Sequence, residues 1–145
     1  MKYSRCQSQE APSLRICAVI VEPDPATQPG QVVLTGAPGA CTGNHAIRLQ
    51  QSKFITIRGL TITGTGGQAI SLLGGNNQNQ DIHIELNRIF DNGSGSCDGG
   101  ITANRGNPGT LIVNNLIHAN GRNGISFIDA DGGPHYVINN TIYGN

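Results

Sequence analysis

One arrangement of apolar and polar residues occurs four times along the chain. In each copy apolar residues alternate with polar ones, and a further apolar position follows after a fixed step of five residues. The apolar positions from which this step is counted are 57, 84, 112 and 137, so the copies lie 27, 28 and 25 residues apart. A period in this range is typical of a repeat protein, in which one structural unit is stacked several times.

A further short apolar stretch precedes each copy, so every repeat predicts three strands, which we call its first, second and third strand. Alternation with a period of two, together with the β-branched side chains, favours strands that have one buried face. Glycine, asparagine, aspartate and proline cluster between the stretches, as turns require. The four first strands are predicted at Ala46 to Leu49, Ala69 to Leu72, Gly100 to Ala103 and Gly124 to Phe127.

Three short strands in about 25 residues, with no helical pattern between them, form a sheet only by pairing with the same strands of neighbouring repeats. The sequence therefore predicts an all-β fold, a single-stranded parallel β-helix (solenoid) of about four to five coils with three short strands each. Successive coils would lie about 4.8 Å apart, with isoleucine and leucine stacked on one another inside the tube.

The repeat resembles that of right-handed parallel β-helix proteins of the pectate-lyase-like superfamily. The resemblance is carried by "GQAISLLGGNNQNQDIHIELNRIFDN", "GGITANRGNPGTLIVNNLIHANG" and "NGISFIDADGGPHYVINNTIYGN", and it extends over residues 46–145. It implies a right-handed coil and a ladder of stacked asparagine amides at the tight bend between second and third strands. The matching positions are Asn87, Asn115 and Asn140, with Leu60 in the first copy; a second column contains Asn92, Asn120 and Asn145, with Thr65 in the first copy.

The repeat domain is predicted to span residues 31–145, after an irregular or incomplete N-terminal coil in residues 1–30. Within that coil, Ile16 to Val21 and Gln31 to Thr35 are predicted as early strands. The last copy stops on the turn that would start another first strand. We therefore expect a fragment of a longer β-helix, with end-to-end self-association through open coil ends as the alternative.

Composition narrows the possible functions. The chain has nine basic and nine acidic residues, 12% charged residues, 4% aromatic residues and no tryptophan. No basic face for nucleic acid is apparent, and no apolar run approaches the length of a membrane span. No intact signal peptide is present, so extracellular or cell-envelope placement is expected only from the fold and the low charge.

Four cysteines, Cys6, Cys17, Cys41 and Cys97, lack the close spacing of a metal site and allow three disulfide pairings. Cys41 and Cys97 both precede a first strand, but they belong to coils two steps apart, which corresponds to about 10 Å. That separation exceeds the usual range of a disulfide unless a loop bends back. We therefore expect mostly free or partly buried thiols, and the pairing stays open.

The loops on either side of the first strand vary in length, whereas the step from second to third strand is constant. Insertions in a repeat array mark its working face, and the resemblance also implies a substrate groove along the first strand. Outward positions on this face are candidates for polysaccharide binding, although ordinary solvent-facing strand residues would read the same. These candidates are Arg48, Ser71, Thr102, Asn104 and Ser126.

The candidates for catalysis and metal binding lie in the adjoining loops. Asp98, Asp129 and Asp131 offer hard oxygen ligands that suit Ca²⁺, the ion that the resemblance implies for lyases and the only cofactor expected. Arg105, which we expect near Asp129 of the following coil, and His135 are candidate bases. Turn chemistry explains the aspartates equally well. No paired aspartates occur, which disfavours glycoside hydrolysis.

Two functions follow from these observations. The first is a β-helix domain of a secreted carbohydrate-active protein that binds or modifies an acidic polysaccharide, as a lyase or epimerase, along the first-strand face. The second is a non-catalytic β-helix that serves as a cell-surface, adhesive or scaffold segment. Whether the chain is an enzyme stays open, because the repeat specifies a fold far more strongly than an activity.

Overall fold

The computed structural model describes residues 5–6, 17–28, 31–39, 41, 44–75, 79–94, 97–129 and 133–145. These residues contain strands and turns but no helix. The strands are β1 (Arg5–Cys6), β2 (Cys17–Val21), β3 (Val33–Thr35), β4 (Ile47–Gln50), β5 (Lys53–Arg58), β6 (Thr61–Thr63), β7 (Ile70–Leu73), β8 (Gln80–Glu85), β9 (Arg88–Phe90), β10 (Ile101–Asn104), β11 (Leu111–Val113), β12 (Leu116–His118), β13 (Ile125–Ile128), β14 (Tyr136–Ile138) and β15 (Thr141–Tyr143).

The strands form three sheets that run along the stack. The first sheet has the order β4-β7-β10-β13, the second β1-β2-β5-β8-β11-β14 and the third β3-β6-β9-β12-β15. Every pair of neighbours is parallel except β1 and β2, which are antiparallel. Because parallel neighbours come from successive coils, the fold is a parallel β-solenoid of about four coils with three strands each. The predicted fold class is confirmed.

The core consists of columns of identical side chains from coil to coil. Ile57, Ile84 and Ile112 are aligned in the second sheet and are fully buried. A second column in the third sheet contains Ile62, Ile89 and Ile117, which are also fully buried. A coil thus buries its apolar side chains mainly against its neighbours, as the repeat pattern predicts.

The corners between second and third strands repeat one backbone conformation. The corner residue of each coil has a positive φ and is followed by the residue at the ladder position. These corner residues are Gly59, Leu86, Asn114 and Asn139, with φ of 68°, 58°, 56° and 50°. Glycine and asparagine adopt this left-handed conformation readily, so the sequence suits the corner in three of the four coils.

The predicted asparagine ladder is confirmed. The backbone N–H groups of Leu60, Asn87 and Asn115 donate to the Oδ1 atoms of Asn87, Asn115 and Asn140 of the next coil, at 3.1, 3.0 and 2.9 Å. Each ladder amide also donates to a carbonyl of the preceding coil, as Asn115 Nδ2 does to Ile84 at 2.9 Å. The second column forms an equivalent ladder from Thr65 through Asn92 and Asn120 to Asn145.

A third ladder between first and second strands was not predicted. Asn79 Nδ2 donates to Asn107 Oδ1 at 2.8 Å, and both side chains are fully buried. Asn79 also accepts the backbone N–H of Ser52 at 3.0 Å. All three corners of the coil are therefore joined to their neighbours by amide side chains.

The N-terminal part of the solenoid contains the two early strands that the sequence predicts. β2 joins the second sheet beside β5, and β3 joins the third sheet beside β6. The short β1 lies on the outer side of β2, with the backbones of Cys6 and Cys17 opposite each other.

Candidate functional site

The loops that precede the first strands, here called the leading loops, alternate in length along the stack. They comprise residues 36–46, 64–69, 91–100 and 119–124, so two long loops flank a short one. The sequence predicts that the working face of the solenoid lies beside these loops, on the outer side of the first sheet.

The four outward positions predicted on the first strands are aligned, but the two in the middle are buried. Arg48, Ser71, Thr102 and Ser126 occupy the same register position on β4, β7, β10 and β13. Only Arg48 is exposed, whereas Ser71 and Thr102 retain 2% and 1% of their surface. The two buried residues lie on the central strands β7 and β10. The accessible positions are at the edge strands, which corrects the expectation of a continuous open row.

Asn104 lies at the end of β10 beside Ile128 of β13. Its side chain is half-buried, and its Oδ1 atom has no hydrogen-bond partner. Its backbone carbonyl accepts the Nδ2 group of Asn107 at 2.8 Å. That oxygen is buried, so Asn104 borders the first-sheet face without presenting its amide acceptor to solvent.

Arg105 and Asp129, which the sequence places close together, form an ion pair between adjacent coils. Arg105 Nε lies 3.3 Å from Asp129 Oδ2, and both side chains are mostly exposed. Arg105 follows β10 and Asp129 follows β13, so the pair lies at the same end of the two strands. Both residues have a positive φ, of 40° and 51°.

A second pair lies at the opposite end of the same two strands. Arg122 Nε is 3.9 Å from Asp98 Oδ1, and Asn123 Nδ2 donates to that oxygen at 2.7 Å. The side chain of Asp98 is 13% exposed, whereas that of Arg122 is 65% exposed. The outer face of the β10–β13 pair is thus bordered by an accessible arginine at each end.

The aspartates proposed as calcium ligands are not brought together. Asp98 precedes β10 and Asp129 follows β13, so a strand length separates them. Asp131 lies outside the described residues. Among the residues that the structure describes, no three His, Cys, Asp or Glu side chains form a metal-binding group. The calcium site stays a prediction.

His135, the second candidate base, packs towards the interior. Its ring centroid is 4.8 Å from that of Phe127, whose register partner Ala103 belongs to the buried core. Both ring nitrogens are shielded from solvent and have no hydrogen-bond partner. His135 precedes the outward Tyr136, and strand alternation turns it inwards, away from the face that Arg105 borders.

Cys41 and Cys97 form a disulfide with their Cα atoms 5.3 Å apart, which corrects the expectation of free thiols. The estimate from coil spacing failed because the two long leading loops meet above the short loop between them. Gly66 and Gly67 of the short loop make this approach possible. A Cβ atom on Gly67 would lie 2.5 Å from the carbonyl oxygen of Cys41.

His45 is a titratable residue on this face that the sequence analysis missed. It lies in the first leading loop, just before β4. Burial, and to a lesser degree the positive charge of Arg48, lower the pKa of His45, although a hydrogen bond with the Gln68 backbone opposes the shift. Its position two residues ahead of a first strand was the only signal in the sequence.

The third sheet carries a column of stacked rings that the sequence analysis also missed. The His118 ring lies between those of Phe90 and Tyr143, with centroids 5.2 and 5.1 Å apart. The guanidinium of Arg88 lies 4.6 Å from the centre of the Phe90 ring. Because the rings stack along the solenoid axis, their faces contact one another rather than a ligand.

A shallow groove of about 530 Å³ lies at the corner between second and third strands. It is formed by corner, ladder and third-sheet residues on the side that the sequence analysis did not associate with binding. Its lining comprises Gly59, Leu60, Thr61, Leu86, Asn87, Arg88, Asn114 and Leu116.

Comparison with known proteins adds no family to this description. No family model matches the sequence, and neither a curated protein nor a solved structure is significantly similar to the chain. No helix in the described part of the chain has the length and apolar character needed to cross a membrane. The fold and the first-sheet face define a parallel β-solenoid with two accessible arginines beside loops of variable length.

Proposed function

We propose that this chain binds an acidic polysaccharide along the outer face of the first sheet. The observation that carries the proposal is that the guanidinium groups of Arg105 and Arg122 are only partly engaged by their aspartate partners. Each contacts an aspartate through Nε, and the described residues supply no partner for the remaining guanidinium N–H groups. An arginine has five N–H donors, and the unused ones form a fork that fits a carboxylate.

The position of the two arginines supports the same function. They lie at opposite ends of the β10–β13 pair. An extended polyanion that runs along these strands from one end to the other could contact both arginines. The repeat's resemblance to pectate-lyase-like proteins also favours a uronate polymer over a neutral glycan.

The proposal includes an extracellular or cell-envelope location. The Cys41–Cys97 disulfide supports it, because disulfides persist in oxidising compartments and are rare in the reducing cytosol of most organisms. A flexible polysaccharide outside the cell is a suitable ligand for a rigid surface of this kind.

If the chain is catalytic, a lyase or epimerase reaction fits its residues better than hydrolysis. Both reactions begin with removal of a proton next to a uronate carboxylate, and Arg105 is the candidate base on the accessible face. The carboxylate would need neutralisation at the Arg105 end of the strands, for which a bound Ca²⁺ is suitable. Hydrolysis needs two carboxyl groups at a defined separation, which Asp98 and Asp129 at opposite strand ends do not provide.

A non-catalytic structural role is the second candidate, and the three asparagine ladders favour it. They join every corner of the coil to its neighbours and, with the disulfide, would make a stiff rod. End-to-end association through coil edges belongs to this alternative, because an unpaired strand edge can pair with another chain.

Binding tests the proposal directly. Isothermal titration with polygalacturonate, alginate and a neutral glycan should show affinity for the acidic polymers alone. Substitution of both Arg105 and Arg122 by alanine should weaken that affinity about a hundredfold, because each loses a charge-assisted hydrogen bond worth about 1.5–3 kcal/mol. Arg88→Ala, which removes a positive charge from the third sheet, should leave the affinity within about twofold.

Two outcomes would contradict the proposal: no affinity of the folded wild-type chain for any acidic polymer, or equal losses in the double variant and in Arg88→Ala. Mass spectrometry of the products, with and without Ca²⁺, separates binding from catalysis. Unsaturated oligosaccharides would establish a lyase, whereas an unchanged polymer that still binds would establish a binding module.

A further inference from the structure

The leading loop that contains Cys41 is held on the loop of the next coil by two backbone hydrogen bonds. The N–H of Gly66 donates to the carbonyl of Ala37 at 2.9 Å, and the N–H of Gly67 donates to that of Asn44 at 3.1 Å. Both glycines are buried, so a loop that moved away would expose two amides that are now protected. The disulfide is the covalent restraint on this loop.

Cys97, the other half of the disulfide, lies next to Arg122. Cys97 is followed by Asp98, which binds Asn123 and faces Arg122 of the following coil. The carbonyl oxygen of Cys97 lies close enough to Gly121 that a Cβ there would be 2.8 Å from it. The bond therefore joins two leading loops directly, and the contacts of these loops reach the other two, including the loop that carries Arg122.

The two half-cystines differ in accessibility. Cys41 is exposed, whereas Cys97 retains 4% of its surface. Exposed disulfides are generally the more easily reduced ones. We infer that the Cys41–Cys97 disulfide is a redox-sensitive clamp, which a dithiol opens by attack at Cys41 and which, when closed, fixes the leading loops and Arg122.

The reaction balances as a two-electron exchange with a dithiol. One thiolate of the dithiol attacks Sγ of Cys41, and Cys97 leaves as a thiolate with the electron pair of the broken S–S bond. The second sulfur of the dithiol then attacks the mixed disulfide and releases the thiolate of Cys41. The dithiol is oxidised to a cyclic disulfide, and the two cysteines take up protons from water.

Amide hydrogen exchange tests the clamp. The Cys41→Ser, Cys97→Ser double variant removes this bridge without affecting Cys6 or Cys17. Exchange at Gly66 and Gly67 should accelerate about tenfold or more, because their acceptors lie on the released loop. Exchange at Ile62 and Ile89 in the third sheet should stay within about twofold, which shows that the solenoid remains folded.

Unchanged exchange at Gly66 and Gly67 in the folded variant would overturn the inference. If the variant does not fold, the same amides are followed in the wild-type chain during titration with dithiothreitol, while alkylation and mass spectrometry identify the freed thiols. Accelerated exchange at Gly66 and Gly67 on release of Cys41 supports the clamp. Resistance of the bridge to dithiothreitol in the folded chain contradicts it.

A glycine substitution provides an independent check. Gly67→Ala should increase the fraction of the bridge that is reduced at a fixed dithiol concentration, because the added Cβ would press against the carbonyl oxygen of Cys41. Gly64→Asn is the control, since asparagine tolerates the φ of 75° at Gly64 and a Cβ there would have no neighbour within 4 Å. Equal reduction in both variants would mean that contact with the loop of Cys41 has no part in the effect.

The link to Arg122 rests on the proposed function and is tested separately. Polygalacturonate affinity should fall about tenfold in the Cys41→Ser, Cys97→Ser variant, because Asp98 no longer holds Arg122 in place. An unchanged affinity would contradict the part of the inference that the closed disulfide fixes Arg122. If the wild-type chain binds no acidic polymer, the proposed function fails, and the exchange experiment still decides the clamp.

Discussion

Leu86 occupies a corner at which the other coils have Gly59, Asn114 and Asn139. Its φ of 58° is in the left-handed region, which costs a residue with an ordinary side chain about 1 kcal/mol. The side chain is 60% exposed, so burial does not offset this cost. The corner keeps its shape because the asparagine ladder and the sheets on both sides determine it.

Leu86→Asn should therefore stabilise the protein. We expect the free energy of unfolding in urea to rise by about 0.5–1 kcal/mol, because asparagine tolerates the left-handed conformation. Leu111→Asn is a matched control on a strand, where the half-buried side chain loses contacts and stability should fall. A loss of stability in Leu86→Asn would show that the exposed leucine contributes to packing.

The sequence predicted the register of individual residues but not their burial. The register of Arg48 with Ser126 followed from the repeat, because equal positions in equal coils align. The burial of Ser71 and Thr102 did not follow, since the alternation of a strand gives the direction of a side chain and not its exposure to solvent. The inward direction of His135 was missed because its proximity to Asp131 and Gly133 suggested a loop, although the residue already follows the alternation of β14.

At the scale of the single element, the asparagine ladders hold the coils in register. Asn115 is 2% exposed, and its Nδ2 group donates to the carbonyls of Ile84 and Val113 and to Asn140. Its Oδ1 atom accepts both the backbone N–H and the Nδ2 group of Asn87. One side chain thus satisfies backbone groups of two coils at a corner where strand pairing is interrupted.

Asn115→Leu should be strongly destabilising. The substitution leaves the buried N–H of Asn87 and the carbonyl of Ile84 without partners, at about 1–3 kcal/mol each. We expect a loss of about 2–5 kcal/mol in urea unfolding. Asn114→Gly, which removes an exposed neighbouring amide and keeps a residue that tolerates the left-handed corner, should cost less than about 1 kcal/mol. Similar losses in both variants would contradict the proposed importance of the ladder.

The sequence revealed two ladders and concealed the third for a simple reason. Asn87 and Asn92 are each a fixed distance from the third strand, so their copies recur in a readable pattern. Asn79 and Asn107 each lie five residues before the buried isoleucine of a second strand, but the same position in the first copy is Ser52, so only two asparagines mark this column. The Cys41–Cys97 contact was hidden for another reason, because loop length does not determine the path of a loop.

At the scale of the whole molecule, the cost of a core substitution should depend on its place in the stack. Ile117 has a neighbouring coil on both sides and is fully buried, whereas Ile142 has the same register position in the last coil and is 45% exposed. In a one-dimensional array, stability is roughly a sum of interfaces between neighbours. The same substitution therefore removes contacts with two neighbouring coils at Ile117 and contacts with one at Ile142.

Ile117→Ala should cost about 2–5 kcal/mol, the range for deleting a buried isoleucine side chain. Ile142→Ala should cost less than half of that amount. Urea unfolding followed by circular dichroism measures both variants against the wild-type chain. Equal costs would show that the last coil is packed as tightly as the central coils.

The bridge between Cys41 and Cys97 also limits how this chain can change in length during evolution. Gain or loss of one whole coil after Cys97 leaves each corner and each ladder amide with a partner of the same kind. Insertion of a coil between the two cysteines would move them apart by a further coil spacing, beyond the reach of a disulfide. Duplication and deletion of coils are therefore expected to accumulate outside the segment between Cys41 and Cys97, while the number of coils between the two cysteines is preserved.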